Sequence, residues 1–464
     1  LYHLLVHLYH QKPNTMSQLT RFLLLAFALL FFAIQALAQQ PERIIFENVQ
    51  IFDGQSETLS APSSVLVEGN IIQLISAEIN PDDYPDAMRI NGEGSTLMPG
   101  LIDVHVHLTF GSLSMADMMN PNMSMDALAP KIAEQSSNML MRGFTAVRDA
   151  GGPIFEIKAA IDNDVFPGPR VWPSGATISQ TAGHGDFRTP NERSRRFFGE
   201  PSRAELLGAT FIADGRDEVL TAVRENLRFG ASQIKLMAGG GTSSAYDPVD
   251  VTQYTLDEMR AAVEAAEDWG TYVMVHAYTP RAIQRAIEAG VKVVEHGQLL
   301  DEETIIMMVE NDVWLSSQVL RASTPDMDPQ RVEKRKPVLE GQARVWPLIK
   351  EHGVKIGFGT DYLFEPDLNV EQNNTILQLL EWYEPHEMLR IVTHDNARML
   401  DLSGLRSPYQ GRLGVVEEGA LADLLLVNGD VLQNPELIAD PQNSFLIIMK
   451  DGKIYKNMLE GQQK

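Results

Sequence analysis

The apolar positions of this chain fall into two regimes. Between residues 42 and 98, short apolar runs are broken by turn residues: 43–52 closes on Asp53-Gly54, 64–67 on Glu68-Gly69-Asn70, and 71–75 follows directly. Runs of that length bounded by Gly, Asn and Asp read as hairpins. The pattern returns at the far end, in 419–427 with Asn428-Gly429 and in 445–449 with Asp451-Gly452 before 453–455. Two β-rich ends around a different middle predict one small β-sandwich built from both, over 39–98 plus 411–464. In the middle, 99–410, strand-like runs alternate with segments of helical period, the signature of a parallel sheet with crossover helices. Eight strands are predicted, at 100–107, 144–148, 170–175, 232–237, 272–276, 291–296, 313–317 and 354–360. Eight βα units over about 300 residues predict an α/β chain with a TIM (β/α)8 barrel. A doubly wound open sheet would place a Gly-rich phosphate loop after its first strand, and none stands there.

One stretch belongs to neither regime. Met16 opens a short polar segment with Arg21, followed by an apolar run over 22–34 and then Ala36-Leu37-Ala38. This is the layout of a secretory signal peptide cleaved after Ala38, and the run is shorter than the about 20 residues that cross a bilayer. Residues 1–38 are therefore set apart as upstream segment and signal, and His3, His7 and His10 are discounted as ligands. The expected location is periplasmic or secreted, with no stable membrane span after cleavage.

Composition narrows the chemistry. With 38 basic and 62 acidic residues among 464, the formal charge of −24 repels nucleic acid and anionic membranes at long range. Cysteine is absent, which removes thiolate metal sites and leaves His, Asp, Glu and Lys as ligands.

Such side chains fall at the C-terminal ends of five predicted strands, which in a barrel converge on one mouth. His105 and His107 are two apart on a strand and share a face. Lys235, His276, His296 and Asp361 follow on later strands. Singly, each has a plainer reading: a strand-end His bonds a carbonyl, and an Asp after Gly-Thr caps a helix. Four of the eight histidines beyond residue 38 at strand ends on one mouth point instead to a metal site. Lys235 in an apolar strand carries a large desolvation cost unless neutralised or paired; an ion pair with Asp361 or Glu295 is the alternative to metal. Tyr278, two residues beyond His276, either packs or donates to a developing oxyanion.

The set resembles the amidohydrolase superfamily, in its binuclear branch with a carboxylated lysine. The resemblance is carried by Met98-Pro99-Gly100-Leu101-Ile102-Asp103-Val104-His105-Val106-His107, by Lys235, His276, His296 and Gly359-Thr360-Asp361, and by the closing run from Glu418 to Leu424. Arg148 to Gly152, Ser174 to Ser179 and Gly183 to Arg188 look like the imidazolonepropionase-related, prolidase-like dipeptidases and ochratoxin-hydrolysing amidohydrolases. The resemblance implies two divalent metal ions, zinc by preference: His105, His107 and Asp361 on one, His276 and His296 on the other, and N-carboxylated Lys235 on both. It further implies a metal-bridging hydroxide, Asp361 moving its proton, Tyr278 polarising the carbonyl, and His184 with Arg188 meeting the substrate's carboxylate. The expected substrate is a dipeptide or N-acyl amino acid with proline or an aromatic residue on the C-terminal side. Cyclic-amide hydrolysis of the imidazolonepropionase type is a second reading, and a non-catalytic binding protein a third. Related enzymes often assemble, so a homo-oligomer is compatible. Gly239-Gly240-Gly241 lacks the Lys-Ser/Thr of a phosphate loop and is read as room for substrate beside Lys235. His352, His386 and His394 are read as structural.

Overall fold

In the computed structural model, which describes residues 43–459 apart from 115, 118, 119, 121, 123, 325 and 326, the two β-rich ends meet. The signal segment lies outside the described residues. Strands β1 (Arg43–Ile51), β2 (Ser63–Glu68), β3 (Ile71–Ser76), β4 (Met88–Asn91) and β5 (Thr96–Pro99) open the chain. The middle supplies β6 (Leu101–Val106), β7 (Phe144–Asp149), β8 (Arg170–Pro173), β9 (Thr177–Ser179), β10 (Thr210–Ile212), β11 (Ile234–Met237), β12 (Val273–Ala277), β13 (Val293–His296), β14 (Trp314–Ser317) and β15 (Ile356–Phe358). The far end adds β16 (Leu424–Val427), β17 (Phe445–Lys450) and β18 (Lys453–Asn457). No helix among the described residues is long and apolar enough to cross a membrane.

The terminal strands form one connected sheet in the order β18-β17-β16-β5-β1-β2-β3, with β4 beside β1. β1 is the shared strand: Ile44 to Glu47 pair with β4, and Gln50 and Ile51 with β5. Phe46, Val65, Val67, Leu97, Leu424, Leu426 and Ile447 bury its apolar positions in a core of their own. β16 is shorter than the run 419–427 because Gly419 turns at φ +79° and the strand begins only at Leu424. β5 escapes a sequence reading because its apolar residues run straight on through Pro99-Gly100 into β6.

All eight predicted middle strands are present, and β9 and β10 are additional. They lie in two parallel groups, β6-β7-β8 and β10-β9-β11-β12-β13-β14-β15. The two groups meet where Ser232 N donates to Pro173 O at 2.7 Å and Gln233 Nε2 to Trp172 O at 2.9 Å, beside β11, and at β15. Between β8 and β9, Asn226 Oδ1 accepts from Ala176 N (3.1 Å) while its Nδ2 donates to Ala176 O (2.8 Å). Beside β15, Asn396 Nδ2 donates to Ile102 O (2.6 Å) and Phe358 O (3.0 Å), its Oδ1 accepts from Phe358 N (2.8 Å), and Asp361 N donates to His105 O (2.8 Å). β15 thus lies against β6, and the ends of β6, β11, β12, β13 and β15 face the same side. Helices cover the strands with regular apolar stripes. Leu256–Glu267 starts at a Thr255/Glu258 capping box and buries Met259, Ala262, Val263 and Ala266.

Arg170 on β8 ties the middle to the terminal sheet. Its Nε meets Asp423 Oδ2 at 2.9 Å and its Nη2 meets Asp451 Oδ1 at 2.6 Å. Asp423 is buried and Asp451 half exposed. Removing one partner of a buried pair leaves an uncompensated charge. Asp423→Ala is therefore expected to lower stability by about 3 kcal/mol and Asp451→Ala by less than about 1 kcal/mol, read as shifts of the urea midpoint.

Candidate metal centre

The strands deliver the polar residues to one spot because each interrupts an apolar run at its C-terminal end. His105 and His107 leave β6 on one face, and both ring Nδ1 atoms are already engaged: His105 with Glu295 Oε2 (2.6 Å), His107 with Gly151 O (2.9 Å). Their Nε2 atoms converge on Asp361 Oδ1 at 3.3 and 3.2 Å. Asp361 itself follows β15 in a left-handed turn, φ +52°. The candidate ligand atoms of His105, His107 and Asp361 all lie within 4.8 Å of one another. Two imidazole nitrogens and a carboxylate oxygen meeting at one buried point fit a divalent ion of the zinc type.

Lys235 reaches the same point from β11, its Nζ 3.5 Å from His105 Nε2. It is 1% exposed and makes no ion pair among the described residues. Burial pushes its pKa down to about 8, against the upward pull of Glu295 and Asp361. The simple ion pair offered as an alternative for Lys235 is therefore not formed. His276 and His296 come from β12 and β13 with ring centroids 4.3 Å apart. His296 Nδ1 faces Gln318 Oε1 at 2.6 Å, and His276 Nε2 faces Gly240 O at 3.1 Å, leaving one nitrogen free on each ring. Burial holds His105, His276 and His296 below the ordinary imidazole range, His296 at about 4, so these rings stay neutral, as ligands must be. Tyr278 packs against His296 with centroids 5.1 Å apart, and burial raises its hydroxyl's pKa, which keeps it a proton-bearing donor.

Two substrate candidates fare differently. His184 stacks on His276, centroids 3.8 Å and planes 14° apart, with Nδ1 2.9 Å from Ser244 Oγ and 3.4 Å from Asp247 Oδ2. Arg188 pairs with Asp186 two residues earlier, Nε to Oδ1 2.7 Å and Nη2 to Oδ2 2.5 Å, so its position is fixed within its own turn. The glycine run also needs correcting. A Cβ on Gly240 would overlap the Pro248 carbonyl, and one on Gly241 the His184 ring. The space serves the protein's own loop and not a substrate. Gly241→Ala is expected to displace His184 and cost about 1–3 kcal/mol, with the His184 shift visible as altered imidazole NMR signals.

Sequence reasoning missed the layer beneath the ligands. Arg148 on β7, fully buried, donates to Glu295 Oε1 (2.5 Å) and Val104 O (2.6 Å) and bonds Tyr272 OH (3.0 Å). Glu295 thus joins Arg148 to His105, while Gln318 Oε1 accepts from His296 Nδ1 and its Nε2 donates to Ser316 O at 3.2 Å. The available signal was a charge inside each of two apolar strands. Asp103 does similar work, accepting from His105 N (3.0 Å), Thr360 Oγ1 (2.7 Å) and Gln372 Nε2 (2.9 Å).

The model of the amidohydrolase family matches residues 96–464, and the chain belongs to that family. It is 29% identical over 415 residues to ochratoxinase of Aspergillus niger, covering 85% of this chain and 83% of that protein. Among solved structures, a prolidase complexed with N-methylphosphonate-L-proline is similar at 33% identity and a TM-score of 0.81, over 89% of this chain and all of that one. A Xaa-Pro dipeptidase with bound methionine is similar at 27% identity and a TM-score of 0.76, again over 89% of this chain and all of that one. The protein is a hydrolase acting on carbon–nitrogen bonds.

Proposed function

We propose that this protein is a binuclear metallo-amidohydrolase that cleaves the amide of a dipeptide or N-acyl amino acid, with proline or an aromatic residue on the C-terminal side. The observation that carries the reading is the convergence of His105 and His107 Nε2 on Asp361 beside a buried Lys235 that makes no ion pair among the described residues. In this reading the middle strands form a closed (β/α)8 barrel capped by a β-sandwich of both ends, over 99–410 and over 39–98 plus 411–464. His105, His107 and Asp361 would hold one ion, His276 and His296 the second, and a carboxylated Lys235 would serve both. Divalent ions there, zinc by preference, supply Lewis acidity to the scissile carbonyl and to water. Asp361 accepts the proton of the attacking water on its carboxylate and returns it to the leaving nitrogen. Tyr278 keeps its hydroxyl proton and donates a hydrogen bond through it to the carbonyl oxygen, where charge develops. His184, held by Ser244 and Asp247, presents its remaining ring nitrogen to the substrate's carboxylate, and Arg188 stiffens the same turn through Asp186.

The bound ligands and names of the relatives support this substrate class: N-methylphosphonate-L-proline in a prolidase, methionine in a Xaa-Pro dipeptidase, and an ochratoxinase. We also infer export to the periplasm or beyond, which rests on the segment from Met16 to Ala38. The test is a substrate panel of Xaa-Pro dipeptides, N-acyl phenylalanines, their C-terminal amides and cyclic amides. Turnover of the free acids with weak turnover of their C-terminal amides is expected. Preferential ring opening of the cyclic amides would replace this reading with the imidazolonepropionase type.

A further inference from the structure

We propose that Lys334 is a positioning residue for substrate recognition, clamping the 241–247 loop so that His184 and Tyr278 keep their places beside the cluster. The proposal rests on the reading above that both side chains meet the substrate.

Lys334 lies in the helix Pro329–His352, far in sequence from any ligand. Its neighbours Arg335, Val338 and Gly341 are buried, and a Cβ on Gly341 would overlap Gln298 O. That side of the helix therefore sits directly on the segment following His296. From there the Lys334 ammonium donates to three carbonyls of a single loop: Gly241 O (3.1 Å), Ser244 O (2.7 Å) and Asp247 O (2.7 Å). All three ammonium protons are used, and each falls on a residue that touches His184. Ser244 Oγ and Asp247 Oδ2 meet His184 Nδ1, while Gly241 lacks a side chain where the His184 ring lies. Gly241 N closes the loop onto Asp247 Oδ2 at 2.8 Å. Between them, Thr242 lies against the Tyr278 hydroxyl. One cation thus fixes the loop from which both proposed substrate contacts are held. A lysine suits the task because three protons on one nitrogen can reach carbonyls converging from different directions, whereas a guanidinium spreads its donors in a plane.

Lys334→Met keeps most of the aliphatic volume and removes the three donors. The expected result is a roughly tenfold rise in KM with kcat changed by less than about threefold, unchanged metal content, and faster hydrogen exchange confined to 241–247. The chain contains no cysteine, so Lys334→Cys carries its only thiol. Alkylating that thiol with 2-bromoethylamine rebuilds an ammonium at nearly the lysine's reach and is expected to restore KM, whereas iodoacetamide is not. Unchanged KM together with unchanged exchange in Lys334→Met overturns the proposal. So does a loss of kcat with KM unaltered, or a loss of bound metal, either of which makes Lys334 a general staple of the fold. Should the unaltered protein hydrolyse no amide, the functional reading falls and exchange alone decides: faster exchange confined to 241–247 upholds the clamp, and unchanged protection there removes it.

Discussion

Glu295→Ala is expected to destabilise the folded protein by about 3–5 kcal/mol, the largest stability effect of any single substitution considered. Glu295 is fully buried and joins two groups, Arg148 Nη2 at 2.5 Å and His105 Nδ1 at 2.6 Å. Removing it leaves the fully buried Arg148 guanidinium, among the described residues, with Val104 O and Tyr272 OH as its remaining partners. The cost is therefore that of an orphaned charge and not merely of a lost contact. The double variant Arg148→Met/Glu295→Leu, which removes both charges, is expected to recover a substantial part of the loss. Urea denaturation of Arg148→Met, Glu295→Leu and the double variant measures the coupling. Simple additivity would show that the pair is not acting as a unit. Glu295→Gln retains the shape but weakens the hold on the His105 tautomer, and a fall in metal affinity of about 10–100-fold is expected from that change.

Lys235→Ala is expected to have the largest effect on activity, a loss of about 10³-fold or more in amide hydrolysis with reduced metal content. The reason is positional. Lys235 Nζ lies 3.5 Å from His105 Nε2 at the centre of the cluster, and no carboxylate pairs with it among the described residues. A plain ammonium there would repel divalent cations, whereas a carbamate contributes an anionic ligand to each. Short carboxylates such as acetate or propionate, added to Lys235→Ala, are expected to restore part of the activity by occupying the vacated space. Full metal content and full activity in Lys235→Ala would sink the bridging role outright.

The legible part of this protein is the part governed by period and by charge in apolar runs. The eight middle strands announce themselves as apolar runs between helical segments. His105, His107, Lys235, His276, His296 and Asp361 stand out because each interrupts such a run at the end that faces the others. Arg148 and Glu295 break their strands in the same way, and a charge-in-strand criterion applied evenly would have paired them. What stays hidden depends on the path of loops. Asn396 joins the backbones of β6 and β15 and Asn226 satisfies the backbone of Ala176, roles no alternation encodes. Gly240 and Gly241 look like open space in sequence, yet the folded loop fills it with the Pro248 carbonyl and the His184 ring. Arg188 reads as a substrate contact, and only its folded turn brings Asp186 against it. Lys334 sits on a helix whose inward side is defined only once the 241–247 loop has closed beneath it.

The central claim is tested most directly by assaying the full chain on linear amides that bear a free carboxylate, an Xaa-Pro dipeptide and an N-acyl phenylalanine, after chelation and again after a divalent metal is restored. The account predicts turnover that disappears with the metal and returns with it, with about two ions bound per chain. A metal-replete protein that hydrolyses neither amide, or one whose hydrolysis is unaffected by exhaustive chelation, would contradict it.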